Sequence, residues 1–475
     1  MIDCLSNREK FVKYYKGVPA LLRTGNVANK PRDTDMIKTA TTKSGVILFA
    51  MATLSGSLAF ISNAAAAESG ALTLVSSDAA GKLQVGLTSP CAISADGSQV
   101  VFNSTASGFV RGDTNNSNDV FLKNVRTGAI SRISTTSSGG QIPTGAECQG
   151  MAADGTTVVL KAKTSPNSAD TNFVPGSEPA LFVKNLQSGS LQRISPPLAT
   201  LPTTSDYVFR SISDDGTTVA FVTTPTSTYL GPYSFRPDGP FRTLVVNVTT
   251  GQLSDWTDTI KFTIGGVVPV AIGTLVLSSD GSLLAFDSSV DHPAAGDNNG
   301  GSDAFVLDLR SGVLSLASTD RFGQQNVFTE RTFGVAPSFK VARFIGDNLA
   351  LYVPRVSSLG AEGYYFKNLT DHSLSFILPT EAGIQPRDFA APVSFSADGS
   401  KVAFTRRGTQ DSAIVRDTQS GQEQLAAVTS TGVVGNNSSR FPFLSNDGNH
   451  VLFESNATNL SRAKSFELYV KTLTH

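Results

Sequence analysis

Two short stretches carry the residue types that hold hard cations. "GDTNNSNDVF" (Gly112 to Phe121) and "GDNNGGSDAF" (Gly296 to Phe305) share the pattern D-x-N-x-x-x-D. Asp113, Asn115 and Asp119, and again Asp297, Asn299 and Asp303, gather oxygen donors in glycine-bearing loops, the donor set that Ca²⁺ takes. The spacing is not that of an EF-hand, and the bidentate Glu is missing. A further copy weakens to Asp170, Asn172 and Glu178. Asp and Asn also cap tight turns by bonding their own backbone. Turn capping therefore ranks ahead of Ca²⁺, and no other cofactor is expected.

Other catalytic patterns are sparse. The histidines fall at different places in the chain pattern: His292, His372 and His450, with His475 at the end. They are not expected to converge on a metal. No G-x-S-x-G occurs, and "SRAK" (Ser461 to Lys464) matches S-x-x-K without its companion motifs. Carboxylates from different loops could still meet, but nothing in the sequence selects a pair.

The composition narrows the class. Charged residues make up 16% of 475 and the formal net charge is −1, so no basic excess points to nucleic acid. Gly (42) and Phe (29) with many Val, Ser and Thr fit a turn-rich all-β chain. From Met36, "MIKTATTKSGVILFAMATLSGSLAFISNAAAAES" runs from Lys38 and Lys43 through an apolar stretch to small residues, Ala64 to Ala67. That is the order of a secretory signal. Residues 36–67 are read as that signal, cleaved after Ala67, and 1–35 as an upstream extension with Met36 as the true start. The expected location is the periplasm or beyond, with no membrane span left after cleavage.

What must position any site is a repeat. "SADGSQVVFNS" (Ser94 to Ser104) returns as "AADGTTVVLKA" from Ala152, "SDDGTTVAFVT" from Ser213, "SSDGSLLAFDS" from Ser278 and "SADGSKVAFTR" from Ser396. Its Asp-Gly pairs start at Asp96, Asp154, Asp215, Asp280, Asp398 and Asp447. The clearest unit, Cys91 to Ser134, reads as four antiparallel strands, with Asp96-Gly97 as a two-residue hairpin turn. The gap of 118 between Asp280 and Asp398 holds a degraded copy, "RFIGDNLALYV" and "GYYFKNLTDHSLSF". Seven four-stranded units predict an all-β, seven-bladed β-propeller over 68–475, with six or eight blades as alternatives. The last unit lacks its fourth strand. "SGALTLVSSDAAG" near the N-terminus resembles one, so the N-terminal strand is expected to close the ring.

The units resemble the PD40 repeats of the TolB-like family. The shared motif is S-x-D-G-x-x-[VL]-x-F followed by D-V-F-[LV]-x-[DN]-x-x-[TS]-G, here Ser94–Phe102 with Asp119–Gly128 and Ser278–Phe286 with Asp303–Gly312. The resemblance implies the fold over nearly the whole mature chain and leaves the function open. Repeats here are longer, and their loops richer in Asn, Ser and Gly.

Two cysteines remain after the signal. Cys91 and Cys148 each begin the innermost strand of adjacent blades, which allows either a disulfide or two small buried thiols. The long insertion from Thr223 brings Tyr229, Tyr233, Phe235 and Phe241 to the loop-rich face, as aromatics suited to a contact surface. The leading expectation is a non-catalytic binding or scaffold module for another envelope or extracellular protein. The alternatives are a glycan- or peptide-processing enzyme with carboxylates at the channel mouth, and a ligand- or Ca²⁺-binding sensor.

Overall fold

A computed structural model describes residues 70–474 apart from 166–172, 202–203, 226, 232–233, 238–240, 261–273, 289–291, 293–294, 300, 327–338, 354–357, 360, 380–392 and 462–464. For the strands at 227–231 and 234–237 it describes the backbone alone.

The chain forms a seven-bladed β-propeller of four-stranded antiparallel sheets. In blade 1 the strands are Thr88–Ile93, Gln99–Ser104, Asp119–Asn124 and Ile130–Arg132, paired in sequence order. The first strands of blades 2 to 7 are Glu147–Met151, Thr204–Ile212, Leu275–Leu277, Lys340–Ile345, Ser394–Phe395 and Ser439–Leu444. The degraded copy is blade 5. Blade 7 takes its fourth strand from Leu72–Leu74, which pairs antiparallel with Glu467–Thr472 and sets Leu72 opposite Lys471. The ring therefore closes as the repeat predicted.

The packing follows from the ring. Each second strand is covered on both faces, so it reads as a continuous apolar run rather than an alternation. Val100, Val101 and Phe102 are all fully buried. The cores lie between sheets: Val101 and Val120 of blade 1 pack with Val158, Leu160 and Phe182 of blade 2.

The Asp-Gly turns differ from the two-residue form that was expected. Gly97 N donates to Ser94 O at 3.0 Å, which makes a four-residue turn. Gly97 has φ +68°, whereas Asp96 is not left-handed. Ser94 explains the longer turn. Its hydroxyl donates to Asp96 at 2.7 Å and accepts from Gln99 N at 3.0 Å, while Asp96 accepts from Ser98 N at 3.0 Å. The two-residue turn occurs in blade 5 instead, where Ile345 faces Asn348 around Gly346 and Asp347.

A second device ties blade to blade. After the fourth strands of blades 7, 1, 4 and 6 the chain makes a small hairpin, bridged at Ser77–Leu83, Thr135–Gln141, Thr319–Gln325 and Val428–Val434. Each hairpin receives a buried lysine from the third strand of the next blade. Lys123 Nζ donates to Ser77 O (2.6 Å) and Asp78 O (3.0 Å). Lys184 reaches Thr135 O (3.1 Å) and Gly189 O (2.6 Å). Lys367 reaches Thr319 O and His372 O, both at 2.7 Å, and Lys471 reaches Val428 O at 3.2 Å. Burial lowers the pKa of all four lysines. Blades 2 and 3 instead leave their fourth strands through helical turns, Leu198–Thr200 and Thr257–Ile260. The corresponding third-strand residues of blades 3 and 4 are the buried Val246 and Leu307. Among the described residues, lysine stands where hairpin carbonyls surround it, and the apolar Val246 and Leu307 stand where the chain leaves the preceding blade through a helical turn.

Candidate functional site

The channel has two unlike ends. At one end the first turns of neighbouring blades join by backbone hydrogen bonds: Ala95 N to Ala153 O (3.0 Å), Asp215 N to Ser279 O (3.3 Å), Ala397 N to Asn446 O (2.8 Å) and Asp447 N to Ala95 O (2.9 Å). Arg343 of blade 5 spans this floor. Its guanidinium donates to Phe395 O (2.9 Å) in blade 6 and Asn446 Oδ1 (2.8 Å) in blade 7, and stands 3.5 Å from Asp214 in blade 3. Desolvation lowers its pKa and Asp214 opposes that shift. One side chain therefore engages three other blades.

The other end carries the loops between second and third strands and those between blades. Acids and bases alternate on its rim. Lys161 Nζ lies 2.8 Å from Asp206, Lys340 Nζ 2.8 Å from Asp287, and Arg440 Nε 3.0 Å from Glu454. Burial raises the Glu454 pKa, and Arg440 opposes it. Arg440 is itself held over Phe466 at 3.8 Å. Lys161 and Glu454 occupy the same repeat position, directly after the aromatic or leucine of the second strand; so do Asn103 and Asp287. Asn103 accepts from Cys148 N of the next blade at 2.7 Å. From Asn103, Lys161 and Asp287 this position reaches across a seam, whereas Glu454 pairs with Arg440 inside blade 7. The sequence did not reveal the role because its chemistry changes from blade to blade.

The two D-x-N loops prove to be built alike. Gln141 Nε2 donates to both Asp113 (3.0 Å) and Asp119 (2.9 Å), and Ser134 Oγ donates to the other Asp119 oxygen. Asn115 Nδ2 donates to Ile142 O (3.0 Å), and Asn115 Oδ1 accepts from Ser117 N (3.1 Å). In blade 4, Gln325 donates to Asp297 (2.6 Å), Asn299 to Asn326 O (3.0 Å), and Ser318 to Asp303. The acids dock each loop onto the glutamine of an inter-blade hairpin. A neutral amide donor sits between the carboxylates of Asp113 and Asp119. Burial raises the Asp119 pKa, opposed by its bonds from Ser134 and Gln141. Among the described residues no group of three or more His, Cys, Asp or Glu side chains is arranged for a metal. Asp170 and Asn172 lie outside the described residues. Glu178 is paired with Arg193.

Cys91 and Cys148 form a disulfide across blades 1 and 2, with Cα atoms 6.0 Å apart. In the insertion, Ser227–Gly231 and Ser234–Pro237 pair as a ribbon that sets Tyr229 opposite Phe235. Their side chains, and all of Tyr233, lie outside the described residues; Phe241 is half-buried. Among the described residues, the most exposed large apolar side chains are Val85 and Leu87, on the loop-rich end, at 91% and 81%. His292, His372 and His450 stand in blades 4, 5 and 7. His292 is buried against the Phe305 ring, with centroids 4.6 Å apart. Among the described residues no helix is long and apolar enough to cross a membrane.

Neither a family model nor a curated relative matches the chain. Solved β-propellers are similar to it. An oligogalacturonate lyase from Vibrio parahaemolyticus is 12% identical, with TM-score 0.48, covering 81% of this chain and 89% of that one. TolB from Acinetobacter baumannii is 12% identical, with TM-score 0.35, covering 83% and 81%. The β-propeller domain of the Trilobed protease from Pyrococcus furiosus is 11% identical, with TM-score 0.46, covering 81% and 95%. At such identities and TM-scores the likeness concerns the β-propeller fold alone.

Proposed function

We propose that this chain is an exported, non-catalytic β-propeller that binds another envelope or extracellular protein through its loop-rich end. The observation that carries the reading is the exposure of Val85 and Leu87 on that end. Exposed aliphatic side chains two residues apart release their hydration water when a partner covers them, which favours association. The rim supports the non-catalytic part. Acid–base catalysis on a glycan needs carboxylates poised in different protonation states. Asp206, Asp287 and Glu454 instead face cations at 2.8–3.0 Å. Export rests on the signal-like order of residues 36–67.

The test is site-specific photo-crosslinking in the native envelope. A crosslinking amino acid placed at the exposed Thr114 or Gln410 samples the loop-rich end; one at Arg126 or Ser188 samples the opposite end. One reproducible protein captured from the first pair only is the expected result. Its loss on Val85→Ser with Leu87→Ser would assign it to those side chains. Capture from both ends alike, or of oligosaccharide alone, would sink the reading.

A further inference from the structure

The seam between blades 3 and 4 contains a cleft of about 450 Å³, within the size range of small-ligand sites. Blade 3 lines it with Asn247, Gln252, Ser254 and Trp256, and blade 4 with Asp280 and Arg310. The repeat explains why it is open. At the clasped seams a hairpin lies against the next blade's outer turn. Ser137 Oγ accepts from Leu191 N at 2.9 Å, and a Cβ built on Gly323 would stand 3.6 Å from the His372 ring. At the 3/4 seam the chain turns into the helix Thr257–Ile260, and the Trp256 ring takes up the approach. A Cβ on Gly312 would stand 3.9 Å from it. Among the described residues it is this ring that approaches the outer turn of blade 4, and the cleft lies beside it.

We infer that this cleft is a binding site for a neutral saccharide. Its walls match that chemistry. Trp256 is half-buried: it packs on the blade 3–4 core and also borders the cleft. A pyranose offers a flat C–H face to such a ring and hydroxyls around its edge. For those hydroxyls the cleft has groups with no partner among the described residues: the Gln252 amide, the Ser254 hydroxyl and the Asn247 Nδ2. Asn247 Oδ1 is already engaged by Thr250 N at 2.9 Å. Asp280 and Arg310 form an exposed pair at 3.6 Å, one acid against one base. Their charges offset, so neither an anion nor a cation is selected. A peptide turn would fit the shape, as the chain's own hairpins fit the other seams. Those hairpins are gripped by a lysine, however, and here the equivalent residue is the buried Leu307, which has no donor. This site lies on the outer seam, away from the loop-rich end, and stands or falls independently of the reading given for that end.

Trp256 is the sole tryptophan, so intrinsic emission reports this cleft directly. The full chain is titrated with maltohexaose, cellohexaose and chitohexaose, each followed by tryptophan emission and calorimetry. The peptide STTSSGGQI, residues 134–142, is titrated alongside. The inference expects a saturable emission change with at least one hexasaccharide. Gln252→Ala or Arg310→Ala, both at exposed side chains, should weaken it by about tenfold, the loss of one good hydrogen bond. Matching thermal melts of wild type and variants exclude misfolding as the cause. Three results would each overturn it: no saturable change with any saccharide, a change indifferent to both variants, or binding of the peptide alone.

Discussion

The seam between blades 1 and 2 and the seam between blades 3 and 4 come from one repeat and are closed in opposite ways. The first has a disulfide near the axis, a D-x-N loop locked to Gln141, and Lys184 buried among hairpin carbonyls. The second has Leu307 in place of the lysine, a helical turn in place of the hairpin, and an open cleft. A buried ammonium is tolerable only where acceptors are already fixed around it. The two partners of the clasp are therefore present together or missing together at each described seam. A repeat protein is stabilised by what its neighbours share, so this chain is stapled unevenly. Among the described residues, room for a ligand is found at a seam without the clasp.

Leu307→Lys attacks the comparison most directly. It puts the clasp's lysine at a buried position where the described residues present no hairpin carbonyls. An unpaired buried charge should cost up to about 5 kcal/mol, read as a lower denaturant midpoint. A cost below about 1 kcal/mol, the level of an ordinary surface change, would show that the carbonyls are not what the lysine requires. Next is the covalent tie. Cys91→Ser with Cys148→Ser opens a cross-link with sequence separation 57, expected to contribute about 4 kcal/mol. The same loss should follow from reduction of the native chain, and no loss on reduction would sink the prediction.

Lys367→Met removes one clasp and leaves its carbonyls without a donor, a loss of about 2 kcal/mol. The pH dependence sharpens the point. Burial lowers the Lys367 pKa from 10.5 to about 8, with Asp320 and Asp371 opposing. Between those values the unfolded chain binds the proton and the folded chain does not. Stability relative to Lys367→Met should then rise as pH climbs from about 8 to 10.5 and stay level below that window. A difference that stays level through this window and falls only above 10.5 would mean that the carbonyls hold the charged form more strongly than burial disfavours it.

The fold was legible because its signals are local and repeated. Asp-Gly turns and apolar second strands mark the blades, and "SGALTLVSS" announces the closing strand. The D-x-N loops were legible as loops, but their partners Gln141 and Gln325 lie 28 residues after Asp113 and Asp297. No short pattern spans that distance. The lysine clasp was harder still, since Lys123 and Ser77 are 46 residues apart and belong to different blades. Its trace is two columns that vary together: Lys, Lys, Val, Leu, Lys, Arg, Lys along the third strands, and a glycine-bearing turn before each lysine. Arg343 left no local trace, because its partners lie in three other blades and blade 5 is the least regular copy.

The smallest expected effect separates what the seams share from what they do not. Ser94 and Ser213 do the same work on the channel floor, one beside a clasped seam and one beside an unclasped seam. Ser94 Oγ accepts from Gln99 N and Ser213 Oγ from Thr218 N, both at 3.0 Å, and each donates to its turn aspartate. Ser94→Ala and Ser213→Ala should each cost about 1 kcal/mol, one neutral hydrogen-bonding group apiece. If the turns act alone, the two costs agree. If seam strength spreads through the floor, the loss is larger at Ser213, where fewer neighbouring ties remain to hold the turn in place. Denaturant midpoints for the two variants decide between these. Equality would place the unevenness of the ring in its outer seams, where the lysines and hairpins are.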